Sequence, residues 1–178
     1  ATVTVKEAAA DQEQFYILVE FAAPEGTVLP EPDQVEEGFN RAVLWGGPDG
    51  RGIGFGAYRD ESCTSFIGSS EAGYAIDYVE DSDPTDNKME FIIRGHIDPM
   101  PKDAAYCLFS GIQSLCMQYQ GEWVTMLDGM DIDLIVPLVG MGTHYDFQGR
   151  CGVNLNGVTL AVAENLTISP ISVSMDLV

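Results

Sequence analysis

Hydrophobic and polar residues alternate along much of this chain, and most regularly towards its C-terminal end. Val158, Leu160, Val162, Leu166 and Ile168 occupy even positions, with Thr159 and Ala161 between the first of them. After Ser169-Pro170 the apolar set moves to odd positions: Ile171, Val173, Met175 and Leu177. Alternation at period two marks a half-buried strand. A change of parity turns every side chain to the other face unless the backbone compensates, and proline has no N–H to give to a ladder. The pattern therefore predicts a bulge or corner at Ser169-Pro170, where one long strand bends or passes between two sheets. Upstream, Asn156-Gly157 sits between Val153-Asn154-Leu155 and Val158-Thr159-Leu160. Asn-Gly in that setting predicts a hairpin, because a type I′ turn needs two positive φ angles.

The rest of the chain repeats this pattern with other turns. Val3 and Val5 alternate with Thr2, Thr4 and Lys6. Residues 15–22 are apolar on both parities, which predicts a central strand covered on both faces. Residues 42–45 and 53–58 flank the Gly/Pro-rich stretch 46–52 and predict a hairpin across it. Residues 74–79 and 121–126 read as short strands, as does the alternating stretch 131–136. Met89, Phe91, Ile93 and Ile97 alternate with Glu90, Ile92, Arg94 and His96, the cleanest interior strand. Residues 104–119 are compatible with a helix, but Gly111 and the aromatic content favour strand pieces. About ten strands result, with no helical period and no repeat. The expected fold is all-β: a single antiparallel β-sandwich domain over residues 1–178 with long loop insertions.

Composition supports that reading and narrows the partners. The 178 residues are 46% hydrophobic, with 19 Gly and 9 Pro, enough for a core with many turns. Eight basic residues against 28 acidic ones leave a net charge of −20. Such a field disfavours nucleic acid and anionic membrane surfaces. No apolar run is long enough to span a bilayer, so this segment is not expected to insert in a membrane. The chain starts and stops within strand patterns, which predicts that it is cut from a longer protein.

The residues that bear chemistry form no complete constellation. His96-Ile97-Asp98 and His144-Tyr145-Asp146 each put a histidine and an aspartate on one face of extended backbone. Nothing in the sequence brings the two pairs together as a metal site. Residues 80–87 are acidic, but an EF-hand loop begun at Asp81 would need Gly where Asp86 stands and Glu where Ile92 stands. There is no G-x-S-x-G elbow, and Gly52-Ile53-Gly54-Phe55-Gly56 lacks the ending of a phosphate loop. Cys63, Cys107, Cys116 and Cys151 show no zinc-ligand spacing. They allow three pairings, with Cys107–Cys116 the local one and Cys63–Cys151 its complement, and free buried thiols are equally compatible. Trp45, Trp123, Tyr58 and Tyr145 are candidates for a sugar-stacking platform, although core packing is the commoner fate of aromatics. Asn165-Leu166-Thr167 matches a glycosylation acceptor next to residues expected to be buried.

Three stretches carry a family resemblance. They are residues 3–8 with 15–26, then Phe91-Ile92-Ile93-Arg94-Gly95-His96-Ile97-Asp98 with Gly121-Glu122-Trp123, and finally Ile168-Ser169-Pro170-Ile171-Ser172. Together they resemble the extracellular domain of unknown function in membrane-anchored, anti-sigma-factor-like proteins of Gram-positive bacteria. That resemblance implies an immunoglobulin-like β-sandwich at the cell surface, joined through a membrane helix to a cytoplasmic segment. It implies no catalytic, cofactor-binding or metal-ligating residue. Residues 30–74 and the four cysteines have no counterpart in it. The resulting expectation is a non-enzymatic extracellular binding or sensing module for an unknown protein or glycan ligand, with loops 46–52 and 140–149 as contacts. Its alternatives are a carbohydrate-binding or adhesion domain and, less favoured, a carboxylate- or metal-dependent hydrolase.

Overall fold

The computed structural model describes residues 1–10, 14–34, 41–46, 52–67, 71–79, 83, 85–98, 103–138, 145–156, 158–168, 171 and 173–177. Thirteen strands and no helix occupy these residues. They are β1 (Thr2–Ala10), β2 (Gln14–Ala22), β3 (Ala42–Trp45), β4 (Gly54–Tyr58), β5 (Glu71–Val79), β6 (Lys88–Asp98) and β7 (Tyr106–Ile112), then β8 (Ser114–Tyr119), β9 (Glu122–Leu127), β10 (Ile132–Pro137), β11 (Tyr145–Leu155), β12 (Val158–Ile168) and β13 (Val173–Leu177). Four antiparallel sheets result, ordered β1-β2-β6-β5, β10-β7-β4, β3-β8-β9 and β11-β12-β13. The protein is therefore all-β, as its alternating pattern predicts.

The described core is built on β2 and β6. Phe15, Ile17, Val19 and Phe21 are buried on one face of β2. Their partners on β6 are Gly95, Ile93, Phe91 and Met89. Gly95 has a steric reason: a Cβ there would lie 2.5 Å from the Phe15 ring and 2.4 Å from the Gly73 carbonyl oxygen. Phe15 stacks on Phe55 of β4 at 5.5 Å and meets Phe109 of β7 at 5.9 Å. Tyr74 of β5 packs edge-on to Phe109 at 5.6 Å, and its hydroxyl donates to the Ile53 carbonyl at 2.8 Å. Two sheets thus share one aromatic core. Each fully buried phenylalanine in it is worth about 1.5–3 kcal/mol of transfer free energy.

The expectation that β2 is covered on both faces is wrong. Tyr16 is 39% exposed and Leu18 half-buried, while the other parity is sealed. Neighbours β1 and β6 flank β2 edge to edge, so only the layer carrying Phe55 and Phe109 covers a face. On the open face Tyr16 and Ile92 stay exposed and, with Ala9 and half-buried Leu18, line one shallow depression.

A hairpin between β3 and β4 is also wrong. β3 pairs with β8 and β4 with β7. The ambiguous stretch 104–119 forms β7 and β8 end to end, joined at Gln113. The Gln113 N–H donates to the Trp45 carbonyl at 2.8 Å, and its carbonyl accepts the Met130 N–H at 2.9 Å. Hydrogen bonding thus runs on through the joint. β3 and β4 follow each other along one side of this long ribbon, and β9 and β10 along the other. A register shift marks the bend, where Asp133 Oδ1 accepts the Gly111 N–H at 2.9 Å. At the far end Gln120 (φ 55°) and Gly121 (φ 82°) make the two-residue turn into β9. Both angles are positive, as a type I′ turn demands, and glycine takes the second without strain.

The predicted Asn156-Gly157 hairpin is present: Leu155 lies opposite Val158, and Asn156 has φ 52°. The predicted corner is not. After β12 the chain reverses and β13 pairs back antiparallel, with Ile168 opposite Val173. Opposite positions share a face, so the turn itself pairs even positions with odd ones and no corner is required. The bulge lies earlier, between Glu164 and Thr167, around Asn165 at φ 50°. Residues 169–170 lie outside the described residues.

Candidate functional site

Two outward sheet faces concentrate exposed side chains. The first backs the aromatic core on the β1-β2-β6-β5 sheet. Cross-strand ion pairs hold much of it. Lys6 pairs with Glu90, Lys88 Nζ lies 3.0 Å from Glu20 Oε1, and Arg94 Nε lies 2.6 Å from Asp77 Oδ2. Glu90, its nearest partner, holds the Lys6 ammonium above the usual lysine range. Beside these pairs lies an open depression of about 460 Å³. Gly73 and Ala75 lie at its floor, with Tyr16, Arg94 and His96 around it. Gly73 leaves this notch because a Cβ there would approach the His96 ring to 3.3 Å. The Tyr16 hydroxyl donates to Gln14 Oε1 at 3.2 Å.

The second face belongs to β3-β8-β9. Pairing places Trp45 opposite Ser114, Val43 opposite Cys116, Cys116 opposite Thr125 and Gln118 opposite Trp123. Opposite residues share a face and alternate residues of a strand do too. Trp45, Ser114, Cys116, Gln118, Trp123 and Thr125 therefore lie on one side, while Ala42, Leu44, Leu115 and Met117 point into the core. Side-chain contacts agree: Cys116 Sγ lies 3.9 Å from Ser114 Oγ and 3.6 Å from Thr125 Oγ1. Trp45 is 43% exposed and Trp123 52%. Of the side chains on it, Trp45, Trp123 and Thr125 are exposed, Val43, Cys116 and Gln118 half-buried and Ser114 buried, and none of these seven is charged.

The other predicted candidates separate. His96 is exposed on the ion-paired face; His144 lies outside the described residues. Among the described residues no group of three or more His, Cys, Asp or Glu is placed to hold a metal ion. Within the acidic stretch 80–87, residues 80–82 and 84 lie outside the described residues. Asp83 accepts the Thr85 hydroxyl at 2.6 Å and its N–H at 3.2 Å, and these bonds, the hydroxyl's first, lower its pKa. That is a local turn. Tyr58 is half-buried against Phe66 at 5.5 Å. Of the two expected contact loops, residues 47–51 and 140–144 lie outside the described residues, and residues 145–149 are not loop but the start of β11.

The cysteines correct another expectation. Cys107 and Cys116 sit on successive strands of one extended ribbon. Nine residues of strand span on the order of 30 Å, against a limit of about 7 Å between bridged Cα atoms. Cys107 also points into the core and Cys116 away from it. Cys63, Cys107 and Cys116 are free thiols. Burial pushes the Cys107 thiol up to about 12, with a smaller contribution from Cys63.

Sequence reasoning named both tryptophans but missed their neighbours on the face. Ser114, Gln118 and Thr125 bear no motif; only the strand register unites them. No helix long and apolar enough to cross a membrane occurs among the described residues. No protein-family model, curated protein or solved structure matches the chain.

Proposed function

We propose that this chain is a non-enzymatic binding module that works through the uncharged face of β3-β8-β9. The observation that carries the reading is the pair of exposed indoles, Trp45 and Trp123, on one side of one sheet. Leaving large aromatic surface in water is costly unless a partner covers it. Rigid strands hold these side chains better than loops would. On this reading the β1-β2-β6-β5 sheet and the ribbon-centred sheets form the two layers of an immunoglobulin-like sandwich. The shared contacts of Phe15, Phe55 and Phe109 support that arrangement. The setting is the outer surface of a Gram-positive envelope, in an anti-sigma-factor-like membrane protein. This rests on the resemblance of residues 3–26, 91–98 and 168–172, and on a net charge of −20 that disfavours nucleic acid.

A second reading, a carbohydrate-binding or adhesion domain, is favoured by the Thr125 hydroxyl and Gln118 amide that share the face of the indoles. Co-sedimentation with purified Gram-positive cell envelopes tests the module. The wild-type chain is expected to pellet, and the Trp45→Ala/Trp123→Ala double variant to stay in solution. Equal pelleting of the two would remove the face from the function, and no pelleting of either would refute the envelope-binding module.

A further inference from the structure

We infer that the β3-β8-β9 face is a site for an extended, uncharged polysaccharide, bound with one pyranose ring on each indole and the chain lying diagonally across β8. The inference rests on the binding-module reading and adds the chemical class and the minimum length of the ligand. Stacking against an indole suits the C–H face of a sugar ring, and hydroxyl and amide groups suit its equatorial hydroxyls. The exposed Thr125 hydroxyl and the half-buried Gln118 amide share the face of the two tryptophans, whereas Ser114 on the same side is buried.

Register sets the length. Trp45 sits opposite Ser114 and Trp123 opposite Gln118, on the two flanks of β8. Four residues at ~3.3 Å along the strand and two strand spacings at ~4.8 Å put the two Cα positions roughly 16 Å apart. A disaccharide is too short to lie on both indoles, whereas a longer oligosaccharide reaches both. Each stacking contact alone is weak, and one ligand that engages both gains the effective-concentration advantage of a linked pair.

Charge sets the class. None of the seven residues named on this face is ionised, and the chain carries −20 overall. Polyanions such as teichoic acids or uronic-acid polymers would meet that field with no cation among those seven residues to offset it. A protein partner would also cover two indoles, but the Thr125 hydroxyl and Gln118 amide beside Trp123 fit a ligand whose own surface is hydroxyl-rich.

Both tryptophans of the chain are on this face, so intrinsic fluorescence reports it alone. The test is a fluorescence and calorimetric titration with β-1,4-linked gluco-oligosaccharides from disaccharide to hexaose, with soluble neutral β-glucan, and with a polyuronate. The expected result is binding that strengthens steeply once the ligand is long enough to span both indoles, that is insensitive to salt, and that is absent for the polyuronate. Trp45→Ala and Trp123→Ala should each weaken hexaose binding about tenfold or more, with the length dependence lost, while Trp123→Phe restores part of the affinity. Unchanged thermal unfolding of the variants guards against a folding artefact. Polyuronate binding equal to that of neutral β-glucan would overturn the inference, as would hexaose affinity no greater than that of the disaccharide. If no neutral glycan binds but envelope co-sedimentation stays tryptophan-dependent, the glycan class is wrong and the module survives. If neither occurs, both fall.

Discussion

The two outward faces of this protein solve the problem of exposure in opposite ways. On the β1-β2-β6-β5 sheet, charges meet across strands: Lys6 with Glu90, Lys88 with Glu20, Arg94 with Asp77. Its apolar Tyr16 and Ile92 are exposed as well, at 39% and 37%, but they stand beside these ion pairs. On the indole side of β3-β8-β9, Trp45, Cys116, Gln118, Trp123 and Thr125 carry no charge, and the two largest side chains stand in water. Ion pairing finishes a surface, because each charge already has its partner. Unpartnered indoles leave a surface unfinished, and that is where a ligand gains most. A cationic spot such as Arg94 draws the eye on so acidic a protein, but it is already engaged by Asp77.

The comparison presumes that both faces rest on one scaffold, and the largest predicted effect tests this. Phe15→Ala should cost about 3–5 kcal/mol in denaturant unfolding, since it empties the contact between β2, β4 and β7. Indole fluorescence and far-UV circular dichroism should then shift together. Separate transitions would mean that the two faces belong to separate folding units. Gly95→Val should also destabilise strongly, because its side chain has no room between Phe15 and the Gly73 carbonyl.

Thiol chemistry sharpens the inner-versus-outer assignment along the β7–β8 ribbon. Cys107, buried and held near pKa 12, should resist alkylation at pH 8 in the folded protein, while Cys116 on the indole face reacts first. Saturating glycan should slow that reaction. Equal labelling of both thiols would break the assignment.

Removing one charge from the ion-paired face should matter little. Arg94→Ala is expected to change stability by ~0.2–1 kcal/mol, less at high salt, because its pair with Asp77 is solvent-exposed. It should leave glycan binding untouched. Loss of binding in this variant would show that the depression beside His96 is the working site.

The smallest effect is acid loosening of the turn after β4. Asp60 accepts bonds from the Ser62 hydroxyl and from the Thr64 and Ser65 N–H groups, the Ser62 bond weighing most, and its pKa falls from 3.8 to about 2. A depressed carboxyl contributes stability above its unfolded pKa, and that contribution is lost as pH drops from about 3.8 towards 2. Hydrogen exchange at the Thr64 and Ser65 amides should rise over that window in wild type. In Asp60→Ala it should be fast throughout. Both indoles should report no change.

Alternation alone was enough to place most strands. The inward set on β6 and the Asn156-Gly157 hairpin are read directly from parity and turn chemistry, because both depend only on neighbours in the chain. Which strands pair is a different matter. Residues 42–45 and 53–58 look like hairpin arms because a turn lies between them, yet each pairs with a distant strand. Those pairings are decided by β7 and β8 running on through Gln113, and no local propensity encodes that. Likewise, the parity switch at Ser169-Pro170 is legible, but alternation cannot tell a corner from a reversal whose register does the same thing. Residues 15–22 carry apolar side chains on both faces; only the position of the Phe55–Phe109 layer decides which face is sealed.

The candidate site divides in the same way. Trp45 and Trp123 are conspicuous as residue types, and composition already steers partners away from polyanions. Their common face, the placing of Gln118 and Thr125 on it and the distance across β8 exist only once β3 and β9 are hung on opposite flanks of one strand. Chain-local rules fix which way a side chain points relative to its neighbours. Pairing between distant segments, set by burial of the shared aromatic core, fixes what it points alongside.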